Sequence, residues 1–121
     1  MKKIYLILIG VISLITYNCA TDSISDLEDV IPINTTITYD ENVAPIINNN
    51  CIECHSNPPQ NGAPIPLTTF EEVRTSTQNN LIDRISRPTG SPGAMPLGAS
   101  RLPQGLIDQV IQWEVDGFLE N

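Results

Sequence analysis

The hydrophobic positions of the chain form one long apolar block near the start, followed by short clusters at helical spacing. The block runs from Ile4 to Thr16 behind the positive start Met1-Lys2-Lys3. This has the order and length of an export signal, and it falls short of the about 20 apolar residues a transmembrane helix needs. Residues 1–18 are therefore expected to be a signal peptide. Residues 19–38 carry no sustained helical or alternating period. Asp22-Ser23-Ile24-Ser25-Asp26-Leu27-Glu28-Asp29 is acidic and Ser-rich, the pattern of a solvated tether. Val30 to Tyr39 is richer in β-branched residues and reads as extended. The globular domain is expected over residues 39–121.

Inside that domain the pattern predicts an all-α fold of three to four short helices. Val43, Ile46 and Ile47 recur at helical spacing, with Asp40 or Asn42 as a cap and Pro45 in the first turn. That helix runs into Cys51. Ser56 to Pro66 holds Pro58, Pro59, Gly62, Pro64 and Pro66, so it is a loop. Thr68-Thr69-Phe70-Glu71-Glu72 has the Ser/Thr-x-x-Glu spacing of a capping box, opening a helix to about Thr77. Leu81, Ile82 and Ile85 mark another short helix ended before Pro88. Arg87 to Gly98 is a second Pro/Gly loop containing Met95. Pro103 opens a last helix whose apolar face is Leu106, Val110 and Trp113, with Ile107, Ile111 and Val115 alongside. Gly117 either ends it or allows a close backbone approach.

Charge narrows the partners. Both Lys lie in the signal, so from Cys19 onward only Arg74, Arg84, Arg87 and Arg101 oppose 14 Asp and Glu, a balance of −10. Nucleic acid is excluded as a partner, because binding it needs a basic face. An acidic surface suits a partner with a basic docking face, and equally serves plain solubility. Tyr17-Asn18-Cys19 directly follows the apolar block and resembles the lipobox of bacterial lipoproteins, with Asn18 where those proteins prefer a small residue. The resemblance implies acylation of Cys19, a membrane anchor, and a place at the cell envelope facing the periplasm or the cell surface. The alternative is a signal cut nearby that leaves Cys19 a free thiol, a liability in an exported protein.

The chemistry sits in Cys51-Ile52-Glu53-Cys54-His55. C-x-x-C-H is the attachment signature of c-type haem. Two thiols three positions apart can each add across a vinyl group of one porphyrin, and the adjacent imidazole can reach its iron. A zinc site is the first rival, but it wants four ligands, and beyond Cys19 the chain offers only these two Cys and one His. Thiol-disulfide exchange is the second, but it expects a strand-loop-helix context that does not precede Cys51. His55 is the only His of the chain, and Met95 the only Met besides Met1. His55 is thus the proximal ligand of such a haem. Met95, 40 positions later in a loop braced by Pro96, is the candidate sixth ligand. A lone Met in a loop more often packs than ligates; without Met95 the iron is five-coordinate or binds small ligands. Arg87 and Arg101, flanking that loop, are candidates to pair with haem propionates.

Residues 39–121 resemble the class I cytochrome c family, in particular its small single-haem lipoproteins. The resemblance rests on Cys51-Ile52-Glu53-Cys54-His55, on Gly93-Ala94-Met95-Pro96, and on Leu102-Pro103-Gln104 leading into the helix with Trp113. It implies one covalent haem c, thioethers at Cys51 and Cys54, axial ligands His55 and Met95, and first and last helices crossing at the haem edge. The implied function is single-electron transfer between redox proteins rather than catalysis. The chain departs from mitochondrial-like members in its few basic residues and its long Pro-rich segment after His55. Two other expectations stay open: a gas sensor or ligand-binding module with a displaceable or absent sixth ligand, and an interaction domain in which haem is mainly structural. With 5% aromatic residues the core is thin, and a porphyrin would serve as part of it.

Overall fold

A computed structural model describes residues 36–121, and these are all-α, with no strand among them. The expected signal at 1–18, the lipidation site Cys19 and nearly all of the tether at 19–38 lie outside the described residues. A π-helical turn, Tyr39–Val43, continues directly into α1, Ala44–Asn50. After a loop come α2, Phe70–Asn79, and α3, Leu81–Ser86; a second loop leads to α4, Gln104–Val115. This is the element order the sequence pattern predicts.

The start of the first helix differs from expectation in its cap. Thr38, not Asp40 or Asn42, is the N-cap: its hydroxyl accepts the Glu41 N–H at 3.4 Å. Asn42 answers from the other side, its Oδ1 accepting the Thr38 N–H at 3.0 Å. The π turn has a local cause. Pro45 has no N–H to give the Glu41 carbonyl, and its ring crowds that carbonyl. The turn widens, so the Ala44 N–H bonds to Tyr39 O and the Val43 N–H to Thr38 O. Val43, Ile46 and Ile47 are buried, as their spacing requires.

The capping box of α2 forms in one of its two registers. Thr69 Oγ1 accepts the Glu72 N–H at 3.3 Å, and Glu72 Oε2 accepts the Thr69 N–H at 3.0 Å. The same oxygen takes the Thr68 hydroxyl and N–H at 2.8 and 2.7 Å, and these bonds hold the carboxyl below its ordinary pKa. The helix runs two residues past Thr77. Leu81 and Ile85 bury the inner side of α3, and Arg87, extended before Pro88, ends it.

In α4 the buried face is Ile107, Val110 and Trp113. The face expected around Leu106 is thus turned one position towards Ile107; Leu106 and Ile111 are half-buried, and Val115 is 71% exposed. Gly117, at φ +88° with open space around it, ends the helix. Its N–H bonds to Glu114 O and that of Phe118 to Trp113 O, a Schellman pairing that turns the chain back.

The returning C-terminal segment fastens the two ends of the body together. Leu119 O accepts both the Tyr39 N–H, at 2.9 Å, and the Trp113 indole N–H, at 2.8 Å. Glu120 O accepts the Asp40 N–H at 3.0 Å. Asp116 Oδ2 accepts the Ile37 N–H at 2.8 Å, and Ile37 is buried. The packed body therefore begins at least two residues before position 39. Trp113, fully buried, contacts Tyr39, Phe70 and Phe118 with ring centroids 5.8, 5.9 and 4.9 Å away. These four rings weld the start of the first helix to α2 and α4.

Candidate functional site

The C-terminal end of α1 unwinds into the Cys51–His55 turn. The N–H groups of Cys51 and Ile52 both bond to Ile47 O, and the Cys54 and His55 N–H groups bond to Cys51 O at 3.2 and 2.9 Å. The turn is therefore one tight loop that holds both thiols and the imidazole at the helix end. Both Cys are half-buried and unpaired.

His55 is held at three points. Its N–H is bound to Cys51 O, its carbonyl accepts the Leu67 N–H at 2.8 Å, and its Nδ1 lies 2.8 Å from Ile65 O. A carbonyl can only accept, so Nδ1 carries the proton. In the neutral ring Nε2 is then the lone-pair donor, the arrangement in which a histidine ligates a metal. The Pro-rich loop supplies this partner. Pro64 and Pro66 restrict the backbone on either side of Ile65 and so fix the direction of its carbonyl.

Cys51, Cys54, His55 and Met95 all line a single cavity of about 1320 Å³. Ordinary small-molecule pockets span about 300–1,000 Å³, so this one suits a larger ligand. Its walls are mainly apolar, with Leu67, Leu81, Ile85 and Leu102 among them. Ile65 and Leu97, 41% and 76% exposed, also belong to the lining and bring apolar surface to its solvent side. Met95 reaches the cavity from the second loop, half-buried against the core, with its N–H bonded to Arg84 O at 3.0 Å. His55 and Met95, far apart in sequence, thus share one wall system.

The arginines are disposed differently from expectation. Arg87 is engaged by Asp83, 2.7 Å away, and by Pro92 O. Arg101 bonds Ser86 O at 3.0 Å and Gln104 Oε1 at 2.6 Å. Neither lines the cavity. Arg84 does, and no carboxylate lies within ion-pair distance of it among the described residues. The helical phase of α3 places Arg84 beside the cavity-lining Leu81 and Ile85 and sends Arg87 back to Asp83 at i,i+4. Counting turns from Leu81 would have found it.

Among the described residues no three His, Cys, Asp or Glu side chains gather as ligands of one metal ion. Burial pushes the Cys51 thiol up to about 11. The site thus brings together an imidazole and a thioether on a large apolar cavity, two thiols on its wall, and a guanidinium with no carboxylate partner among the described residues.

Comparison with family models, curated proteins and solved structures returns no match for the chain. Among the described residues no helix is long and apolar enough to cross a membrane.

Proposed function

We propose that the chain is an exported mono-haem c-type cytochrome that carries single electrons between redox partners, with a body folded in the manner of the class I cytochromes c. The observation that carries this reading is the convergence of Cys51, Cys54, His55 and Met95 on one apolar cavity, with His55 Nδ1 tied to Ile65 O so that Nε2 is free to ligate. The chemistry of these side chains suits a covalent haem. Each thiol supplies S–H for addition across a vinyl group, the sulfur bonding one carbon and the hydrogen the other. His55 offers the nitrogen ligand and Met95 the sulfur ligand. Arg84 offers a guanidinium for a carboxylate of the cofactor. When bound, haem supplies an iron that changes charge by one electron, at a potential raised by His/Met ligation.

The chain's own contribution is rigidity and exclusion of water. The Nδ1–Ile65 O bond restrains the His55 imidazole while two backbone bonds fix its main chain, and the bond from Met95 N–H to Arg84 O holds the segment that would supply the sulfur ligand. Leu67, Leu81, Ile85 and Leu102 keep the surroundings of the ligands apolar, while Ile65 and Leu97 give a partner protein an apolar landing beside the cavity. The excess of acidic residues suits a partner with a basic docking face. Acylation at Cys19 would tether this carrier to the cell-envelope membrane. The reading is of a carrier, with no catalytic residue assigned.

The test is a visible spectrum of protein produced with a haem-attachment system, for the natural chain and for Met95→Ala. Covalent low-spin haem, with a thioether-to-iron band in the oxidised form that vanishes in Met95→Ala, is the expected result. High-spin haem indifferent to the substitution would replace the electron-carrier reading by a ligand-binding one. A chain that acquires no covalent haem would refute both.

A further inference from the structure

The segment that presents Met95 is gripped from α3. Arg84 holds both ends of Gly93-Ala94-Met95: its Nη1 donates to Gly93 O at 3.2 Å, and its own carbonyl accepts the Met95 N–H at 3.0 Å. Arg87, one turn on, donates through Nη1 to Pro92 O and is steadied by Asp83 through Nε and Nη2, at 3.1 and 2.7 Å. Two guanidiniums therefore close on consecutive carbonyls just ahead of the candidate ligand. Such closeness needs glycine. A Cβ at Gly93 would stand 2.5 Å from Arg84 Nη1 and 2.8 Å from Arg87 Nη1, and Gly93 has φ +75°. The backbone angle favours glycine, and a Cβ there would push both guanidinium ends off their carbonyls.

We infer that Arg84, Arg87 and Gly93 form a clamp that sets the position of Met95, making them positioning residues for the sixth ligand of the haem. The inference rests on the ligation proposed above. Without the clamp the loop from Pro88 to Met95 is held by few bonds of its own, chiefly Ser91 N–H to Pro88 O and Ala94 N–H to Ser91 O. Met95 then spends time off the iron, and small external ligands compete for the vacated position. The clamp determines whether the protein behaves as a closed electron carrier or as an open ligand binder.

Two variants test this in the haem-loaded full chain without substituting Arg84 itself. In Gly93→Ala the added methyl group displaces both guanidiniums. In Arg87→Gln the outer finger is lost, and Arg87 does not line the cavity, so no charge facing the ligand changes. The measurements are the thioether-to-iron band, imidazole binding to the oxidised protein, and hydrogen exchange of the peptide containing Met95. Expected are a weakened band, imidazole affinity raised about tenfold in Gly93→Ala, equivalent to about 1.4 kcal/mol, and raised roughly threefold in Arg87→Gln, the smaller step suiting an exposed donor. Exchange at Met95 should quicken in both, and Arg87→Lys should recover part of the natural behaviour. Variants with the natural band, imidazole affinity and exchange, differing only in melting temperature, would overturn the clamp. A natural chain that lacks the band altogether would overturn the ligation of Met95 instead, and the exchange data would still report whether the clamp holds the loop.

Discussion

Replacing Trp113 by Phe and by Ala separates the bulk of the indole from the bond that its N–H makes. The side chain is fully buried, so truncation to Ala removes a large apolar group from the centre of the aromatic cluster and costs about 3–5 kcal/mol. The body of residues 36–121 comprises 86 residues, for which general stabilities of roughly 0.05–0.15 kcal/mol per residue give about 4–13 kcal/mol. The Ala variant is therefore expected to sit near the edge of folding. Phe keeps a ring to meet Phe118 edge-on, now at 4.9 Å and 89°, and loses the donor to Leu119 O. That carbonyl keeps the Tyr39 N–H at 2.9 Å, so it is not left without a partner. The cost of Phe is thus held to the net worth of one hydrogen bond and a modest loss of volume, about 1–2 kcal/mol. Guanidinium titrations of the haem-loaded full chain, followed by far-ultraviolet circular dichroism and compared at a common slope, measure both differences. If Phe costs as much as Ala, the hydrogen bond rather than the ring governs the site, and the account of Leu119 as a doubly served acceptor is wrong.

Other outcomes follow from the same geometry. Thr69→Ala should cost about 0.5–2 kcal/mol by removing the N-cap of α2, while Thr68→Ala should cost less; paired thermal melts would expose a reversed order. The carboxyls of Glu72 and Asp116 are both held below their ordinary values, Glu72 by its bonds from Thr68 and Thr69 and Asp116 by the Ile37 N–H and then Gln112. Their stabilising effect is complete above the unfolded-state values of about 4.3 and 3.9 and is lost as pH falls through the lower folded-state values. Acid titration of the Glu72→Gln, Asp116→Asn double variant should accordingly show a shallower loss of stability below about pH 4 than the natural chain. An identical acid profile would remove both carboxylates from the account.

Much of the fold could be read directly from local signals. The Thr69–Glu72 box, Pro103 before the last helix, and the Val43, Ile46 and Ile47 stripe each declare themselves within a few residues. What escaped was settled by tertiary contact. Ile37 lies in a stretch with the look of a tether, yet it enters the core because Asp116, 79 positions away, takes its N–H. The cap passed from Asp40 and Asn42 to Thr38 because the π turn forced by Pro45 moved the helix start upstream. At the candidate site, Cys51, Cys54 and His55 stand out by their spacing and Met95 as the one Met besides Met1, and all four line the same cavity. Arg84 does not stand out in sequence, since only the phase of a six-residue helix packed on the core distinguishes it from Arg87.

The fastening of residues 37–40 to residues 116–120 also decides how the protein bears force. A pull on the chain ahead of Ile37 is taken up by the Ile37–Asp116, Tyr39–Leu119 and Asp40–Glu120 bonds, acting together as a shear-loaded clasp. The Cys51–His55 turn begins twelve residues beyond Tyr39, at the far end of a helical run about 18 Å long at roughly 1.5 Å per residue. Tension from a membrane tether would thus pass into the C-terminal segment and the aromatic cluster before it reached His55. The Cys51–His55 turn is thereby set apart from force applied ahead of Ile37.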